Sequence, residues 1–405
     1  MNVQFMRIVD RWIGVPLCFF LTVLSTLGRW FHTKRPVSPP KKILFMEISE
    51  MGSMVLAYPL FCKTRELFPE AELYFLTFRQ NRFAIDILGV IPEENVLTID
   101  GGHPLRFLAS TWNVLRAMRK QRLDAILDME LFARFSAVIG WMSGSRVRVG
   151  YHRFHNEGLY RGSLLTHHVE YNPHIHMAHN LLNLILALTR PAGERPHVKL
   201  PLEPANLPIP SYAVPEDDRI DVWEKIQAAA PEDPDGKRII LLNPNASDLI
   251  PLRRWPLEKY VALAKRLLES PDRLVLLTGT REEHARAEEL ARAVESSRCL
   301  NFAGQTSFAQ LLALYSHADV LVTNDSGPVH FSTLTRTRTV ALFGPETPDL
   351  YGPLGTDNRI AYARYACSPC VSAFNHRRSP CSDNQCLQAI TVEQVLEDIE
   401  ALLLP

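Results

Sequence analysis

Thr323-Asn-Asp-Ser-Gly-Pro-Val-His330, followed closely by Ala341-Leu-Phe-Gly-Pro-Glu-Thr-Pro348, decides how this 405-residue chain is read. Residues 318–322 predict a buried strand, then an Asn-Asp-Ser-Gly turn, then a helix starting near Pro328. Residues 339–343 predict a second apolar strand that ends in a Gly-Pro turn. A strand that feeds a helix through Gly and Ser leaves the first helical N–H groups without internal partners, at the positive end of the helix dipole. Such a turn suits an anion. Gly327 lets a phosphate approach the backbone, and Ser326 adds a hydroxyl donor. The same residues also suit an ordinary helix cap, Asp325 or Ser326 before Pro328, and local spacing does not separate the two readings.

Working outward, strands and helices alternate on both sides. Before the signature, residues 238–242, 273–277 and 299–302 read as strands, with helices over 257–270, 282–294 and 307–316 between and after them. Nearer the N-terminus, strands are expected over 43–46, 72–77, 95–99 and 124–128, with helices over 55–67, 82–88, 104–122 and 132–142. The helix over 104–122 carries Leu105, Leu108, Trp112, Leu115 and Met118 at helical spacing. Alternation of this kind predicts parallel strands with crossover helices. Prolines cluster between Pro191 and Pro234, where regular apolar periodicity is poor, so 191–235 reads as a linker. Five segments result: 1–41, 42–190, the linker 191–235, 236–388, and a closing helix within 389–405 with one apolar face.

Asp-Ser-Gly-x-x-His, a stretch of helix, and then Leu-Phe-Gly-Pro-x-x-Pro resembles the donor-site signature of glycosyltransferase family 9, the ADP-heptose:lipopolysaccharide heptosyltransferases. Lys42-Ile-Leu-Phe through Met51-Gly-Ser and Ala57-Tyr-Pro-Leu60 looks like the family's opening strand, glycine loop and helix. Asn243-Pro-Asn-Ala through Arg253-Arg-Trp-Pro256 looks like its phosphate-facing loop, and Leu276-Leu-Thr-Gly-Thr280 with Glu282 and Glu283 like its ribose-side loop. The resemblance runs from Lys42 to the C-terminus. It implies an α/β fold of the GT-B type, two Rossmann-like domains facing a cleft, with an N-terminal apolar helix added here. It also implies inverting transfer of a heptose-type sugar from a nucleotide diphosphate, ADP most of all, to a lipopolysaccharide core or related lipid-linked saccharide. No catalytic metal is implied.

Sugar transfer from a nucleotide diphosphate makes two demands: the leaving diphosphate must be stabilised and the acceptor hydroxyl must lose a proton. For the first, the candidates are Asn243, Ser247, Arg253, Asp325, Ser326, Gly327 and His330, with Glu282 toward the ribose. Arg253 stands where the family keeps a phosphate-binding lysine, and a guanidinium pairs phosphate with a fork instead of a point charge. For the second, the chain departs from the family. The family's Gly-Asp turn after the first strand carries the presumed base, but here the turn is Met51-Gly52-Ser53, and serine is no carboxylate. Glu50 in the same loop is the expected substitute, with Ser53 as a helix cap or acceptor contact. Gly52 of that turn is expected on the acceptor side, as are His152, Arg153 and His155, which lie in a His- and Arg-rich stretch that includes Arg161, His167 and His168.

Composition sets limits. Lys+Arg and Asp+Glu are both 44, so nothing global argues for nucleic acid. Four of the seven cysteines are grouped as Cys367-x2-Cys370-x10-Cys381-x4-Cys386, which suits a structural zinc, with free thiols as the plainer reading. Trp12 to Leu27 is an apolar run followed by Arg29, Lys34, Arg35, Lys41 and Lys42, with Trp12, Trp30 and Phe31 at its ends. It falls short of a spanning helix and reads as a membrane-surface anchor attracted to anionic lipid; a helix packed on the protein's own surface is the other reading. With no convincing cleavage pattern, the expected place is the cytoplasmic face of the inner membrane. Two rivals stay open: a nucleotide-sugar epimerase of the same architecture, and a catalytically silent sugar-nucleotide-binding scaffold, which Ser53 suggests.

Overall fold

The computed structural model describes residues 3–29, 39–190, 194–202 and 206–404. Trp30, Phe31, Lys34 and Arg35 lie outside the described residues. The chain divides into two compact units, Met1–Pro208 and Ile209–Pro405.

In the first unit, β1 (Lys42–Met46), β2 (Glu72–Phe78), β3 (Val96–Ile99), β4 (Ala125–Asp128), β5 (Val147–Tyr151) and β6 (His167–Val169) form one sheet in the order β3-β2-β1-β4-β5-β6. All neighbouring strands are parallel. The second unit repeats the plan. β7 (Arg238–Asn243), β8 (Arg273–Leu277), β9 (Cys299–Asn301), β10 (Val320–Asn324), β11 (Arg338–Phe343) and β12 (Asn358–Tyr362) lie in the order β12-β11-β10-β7-β8-β9, again all parallel. The central strands are continuous apolar runs because helices cover both faces of a parallel sheet. Ile239 to Leu242 and Leu274 to Leu277 are accordingly buried.

Both halves thus have the Rossmann-like organisation that the resemblance implies. In such sheets the strand order reverses beside the first strand, and ligands gather beyond the carboxyl ends there. The reversal falls between β1 and β4 in one unit and between β7 and β10 in the other.

Several expectations are corrected. The signature strand is shifted by two residues, so Asn324 is strand and not turn. Its buried amide explains the shift: Oδ1 accepts from Trp255 N at 2.9 Å, and Nδ2 donates to the Asn245 carbonyl at 3.0 Å. The helix expected over 55–67 is two, Met51–Leu56 and Tyr58–Leu67, meeting at Ala57 ahead of Pro59. The supposed linker contains a helix, Glu216–Ala229, which packs on Phe308–His317 in the second unit. Three acidic residues in its first turn suit the helix dipole, but only Val222 and Ile226 are buried, which leaves little periodicity to read. β5, β6 and the helix Met177–Leu186 were not anticipated.

The N-terminal segment forms two helices, Val3–Trp12 and Gly14–Arg29, joined at Ile13. By length and composition alone Phe5–Leu27 is long and apolar enough to cross a membrane, where the sequence reading counts a shorter run. One face packs on the first unit: Cys18 and Leu21 are buried with Ala137, Val138 and Leu164. Asp10 accepts from the backbone N–H groups of Arg134 (3.0 Å) and Phe135 (2.8 Å), so it caps the helix Arg134–Met142 from a distant part of the chain. Its carboxylate also meets the Arg134 guanidinium at 3.2 Å. Two glycines let the backbones close in. A Cβ on Gly14 would sit 2.8 Å from Arg134 Cβ, and one on Gly162 would sit 2.7 Å from the Cys18 carbonyl oxygen.

Candidate active site

At the carboxyl edge of the second unit, Arg253 is the centre. The loop after β7 delivers it on the short turn Pro251–Arg253. Its Nε stands 3.1 Å from Asp325 Oδ2 and its Nη2 3.8 Å from Glu346 Oε2. Asp325 follows β10 and Glu346 follows β11, so three neighbouring strand ends bring the trio together. The two carboxylates are 5% and 2% exposed. Burial pushes the Glu346 carboxyl up to about 7; Arg253 opposes this and Asp325 adds to it. Near neutral pH Glu346 is therefore partly protonated. Glu346 fills one of the open positions of Gly-Pro-x-x-Pro, and its signal in the sequence was a carboxylate in the turn that follows a buried strand.

The helix Gly327–Thr335 starts beside Asp325. Ser326 provides no side-chain cap; its hydroxyl donates to the Asn324 carbonyl at 3.1 Å. Of the first two helical residues, Gly327 alone offers an N–H, Pro328 having none. Phe331 presses close, so that a Cβ on Gly327 would lie 2.9 Å from its ring. His330 is buried in the same helix.

The remaining donor-side candidates separate. Asn243 is a strut: Nδ2 donates to Thr278 Oγ1 at 3.1 Å and Oδ1 accepts from Asn245 N at 3.2 Å. Asn245 in turn donates to the Thr278 carbonyl at 3.2 Å. Ser247 is exposed and accepts from Leu249 N at 3.3 Å. Glu282 is exposed, while Glu283 closes a capping box by accepting from Thr280 N at 2.7 Å. Arg254, the neighbour of Arg253, is turned to the Ala246 carbonyl and to Asp248.

In the first unit the loops after β1 and β4 meet in a group of acids. Glu50 is the N-cap of Met51–Leu56, and the Ser53 hydroxyl donates to its Oε2 at 3.1 Å. Gly52 lies in the first turn of that helix. Glu130, which sequence reading missed, accepts from the backbone N–H groups of Ile48 (2.7 Å) and Ser49 (2.8 Å) and from the Ser49 hydroxyl (3.0 Å). Burial, with Glu50 and Asp128 nearby, pushes its carboxyl up to about 7 despite those donors. The findable signal was Asp128-Met-Glu130 at the end of the strand that a Rossmann order places next to β1.

Arg161 is not an acceptor contact. It is 4% exposed and pairs with buried Asp128, with Nη1 on the Tyr151 carbonyl at 3.2 Å, and so ties the ends of β4 and β5. His152 follows β5 and stacks on His168 at 4.2 Å. Burial, then nearby arginines, holds His152 down to about 4; burial, then His152, does the same for His168. These rings are neutral near pH 7 and cannot serve as cations. Arg153 lies over the Tyr160 ring at 5.6 Å, and His155 is exposed.

Cys367, Cys370, Cys381 and Cys386 line one cavity of about 190 Å³. Among the described residues, however, no three His, Cys, Asp or Glu side chains are placed to hold one metal ion. Cys370 accepts from the Ser379 hydroxyl at 3.2 Å, and the Cys381 thiol lies 3.0 Å from the Asp383 carbonyl. The thiols as arranged do not fit the expected four-sulfur zinc.

A family model described as glycosyltransferase family 9 (heptosyltransferase) matches residues 111–378. Lipopolysaccharide heptosyltransferase 2 of Escherichia coli (strain K12) is 32% identical over 160 residues, 38% of this chain and 44% of that protein. Lipooligosaccharide heptosyltransferase 2 of Haemophilus ducreyi is 26% identical over 328 residues, 77% of this chain and 86% of that protein. The chain spans about half the length of the first curated relatives it matches, between 43% and 53%. Among solved structures, E. coli ADP-heptose lps heptosyltransferase II superposes with TM-score 0.68 at 22% identity, over 89% of this chain and 98% of that one. A family 9 glycosyl transferase from Veillonella parvula gives 0.67 at 17% identity, over 90% and 97%. At these identities the structures establish the fold.

Proposed function

The chain belongs to glycosyltransferase family 9, and we propose that it moves a heptose-type sugar, with inversion, from ADP-heptose to a lipopolysaccharide core or related lipid-linked saccharide. The observation that carries this reading is the Arg253–Asp325–Glu346 trio beside an uncapped helix start at a strand-order reversal. A departing diphosphate takes the Arg253 fork and the Gly327 N–H; no catalytic metal is invoked. Glu50 takes the acceptor proton, Ser53 steadies its carboxylate, and Glu130 holds the loop on which both sit. The place of action is the cytoplasmic face of the inner membrane, where a lipid-linked acceptor is within reach.

Calorimetric titration with ADP, UDP, GDP and CMP, repeated on Arg253→Ala, tests the donor. Binding of ADP alone, lost in the variant, is the expected result. Preference for UDP or GDP keeps the transferase and replaces the sugar. Failure to bind any nucleotide removes the reading, and a protein that binds donor without ever consuming it replaces the reading with the silent sugar-nucleotide-binding scaffold.

A further inference from the structure

Twenty large apolar side chains are prominently exposed among the described residues, and thirteen of them fall in two segments of the first unit, the N-terminal helix pair and one later helix. Ten lie between Phe5 and Leu27, including Trp12 (72% exposed), Phe19 (62%) and Phe20 (58%). The other three are Leu105 (71%), Leu108 (62%) and Trp112 (52%) of the helix Pro104–Gln121. Their spacing of three and four residues puts them on one stripe. This stripe is not the one facing the sheet: Val114, Leu115 and Met118 do that. The helix is therefore apolar on two sides, and only one is covered.

The two elements are joined. Met6 from the N-terminal helix and Phe107 from Pro104–Gln121 pack against the same core cluster. Their charges agree as well. Pro104–Gln121 contains Arg106, Arg116, Arg119 and Lys120 and no acidic residue. Arg116 lies over the Trp112 ring at 5.3 Å, which sets a cation beside an aromatic ring at the edge of the stripe. In the N-terminal helices the acid is Asp10, and it is consumed by Arg134 and the helix start there.

We infer that the outer faces of the N-terminal helices and of Pro104–Gln121 together form one lipid-binding surface, which lies in the interface of an anionic bilayer and does not span it. Cations beside apolar stripes fit anionic headgroups over acyl chains. Spanning is disfavoured by what the opposite face does. Cys18 and Leu21 are buried, Thr22 Oγ1 accepts from Ser163 N at 2.9 Å, and Asp10 is tied to Arg134. A helix crossing the bilayer would abandon all of these. The inference gives the proposed membrane location a definite surface and rests on that part of the functional reading alone.

Flotation of the full chain with phosphatidylcholine vesicles, with and without phosphatidylglycerol, tests it. The variant Leu105→Ser/Leu108→Ser/Trp112→Ser changes exposed positions only, and an unchanged thermal midpoint checks its fold. The expected result is binding that favours anionic vesicles and weakens in salt, with the variant's partitioning reduced about tenfold or more. A variant that floats like the unaltered chain overturns the two-element surface. So does a chain that ignores vesicles and is instead dimeric by light scattering, with the variant monomeric. Neither readout involves nucleotide or sugar, so its failure is separate from failure of the donor assignment.

Discussion

The carboxylate of Glu130 holds Ser49 twice, accepting its backbone N–H at 2.8 Å and its hydroxyl at 3.0 Å. Glu50, the next residue, is thereby placed by a side chain from the neighbouring strand's loop. The candidate base sits on a segment whose shape depends on a group that titrates near neutrality.

Glu50→Gln is expected to lower turnover by roughly 10²–10⁴-fold with donor affinity unchanged, because an amide cannot take a proton. Single-turnover kinetics alongside nucleotide titration checks this. Near-normal turnover removes Glu50 as the base.

Glu130 and Glu346 should each contribute stability that falls as pH rises from about 4.5 toward about 7, against the opposite contribution of the lowered His152, His167 and His168. Glu130 and Glu346 are both raised by burial, so the folded state binds protons that the unfolded state has released. Their contribution is complete below the unfolded carboxylate range and is lost as pH passes the folded values. Glu130→Gln should remove from the pH dependence a falling contribution on the order of 1–3 kcal/mol, read as the difference between variant and unaltered chain in urea unfolding across that range. An unchanged slope in the variant rejects the titration.

Arg253→Ala should weaken ADP binding by about 1.5–3 kcal/mol if the fork pairs phosphate. It should also strand two buried acids, and Asp325→Asn in the same chain should recover part of the lost stability but none of the lost affinity. Calorimetry and chemical unfolding on the single and double variants distinguish these effects. Undiminished affinity in Arg253→Ala ends the phosphate role.

Gly279→Val should cost roughly 1–3 kcal/mol of stability, since even a Cβ there lies 2.7 Å from Asn245 Nδ2 and 3.0 Å from Glu283 Oε2. The damage should reach the Asn245 bond to Thr278 and the Thr280 capping box together. A denaturation midpoint equal to that of the unaltered chain would show that the loop yields freely.

Much of this was legible in the sequence, for definite reasons. The central strands β1, β7, β8 and β11 read plainly because a doubly covered strand is uniformly apolar. β6 did not: it is three residues long and begins His167-His168, polar residues that burial and neighbouring charges keep neutral. Leu105, Leu108 and Trp112 were visible as a helical stripe, but periodicity reports a shared face and not what covers it. Arg253 and Asp325 stood out through their motifs. Glu130 did not, because its importance comes from the adjacency of β1 and β4, whose paired residues Leu44 and Ile126 are far apart in the chain and side by side in the sheet. Arg161 was misjudged because its partner, Asp128, lies at a strand end that looked merely terminal.

The Asp10 cap also bears on how the protein can be handled. Removing the N-terminal helices to gain a soluble form would expose Ala137, Val138 and Leu164 to water. It would also leave the first N–H groups of Arg134–Met142 without their acceptor and Arg134, 4% exposed, without its acid. A shortened protein would therefore exchange a lipid-seeking surface for a self-associating one. Detergent or nanodisc preparations of the whole chain are the better material for purification.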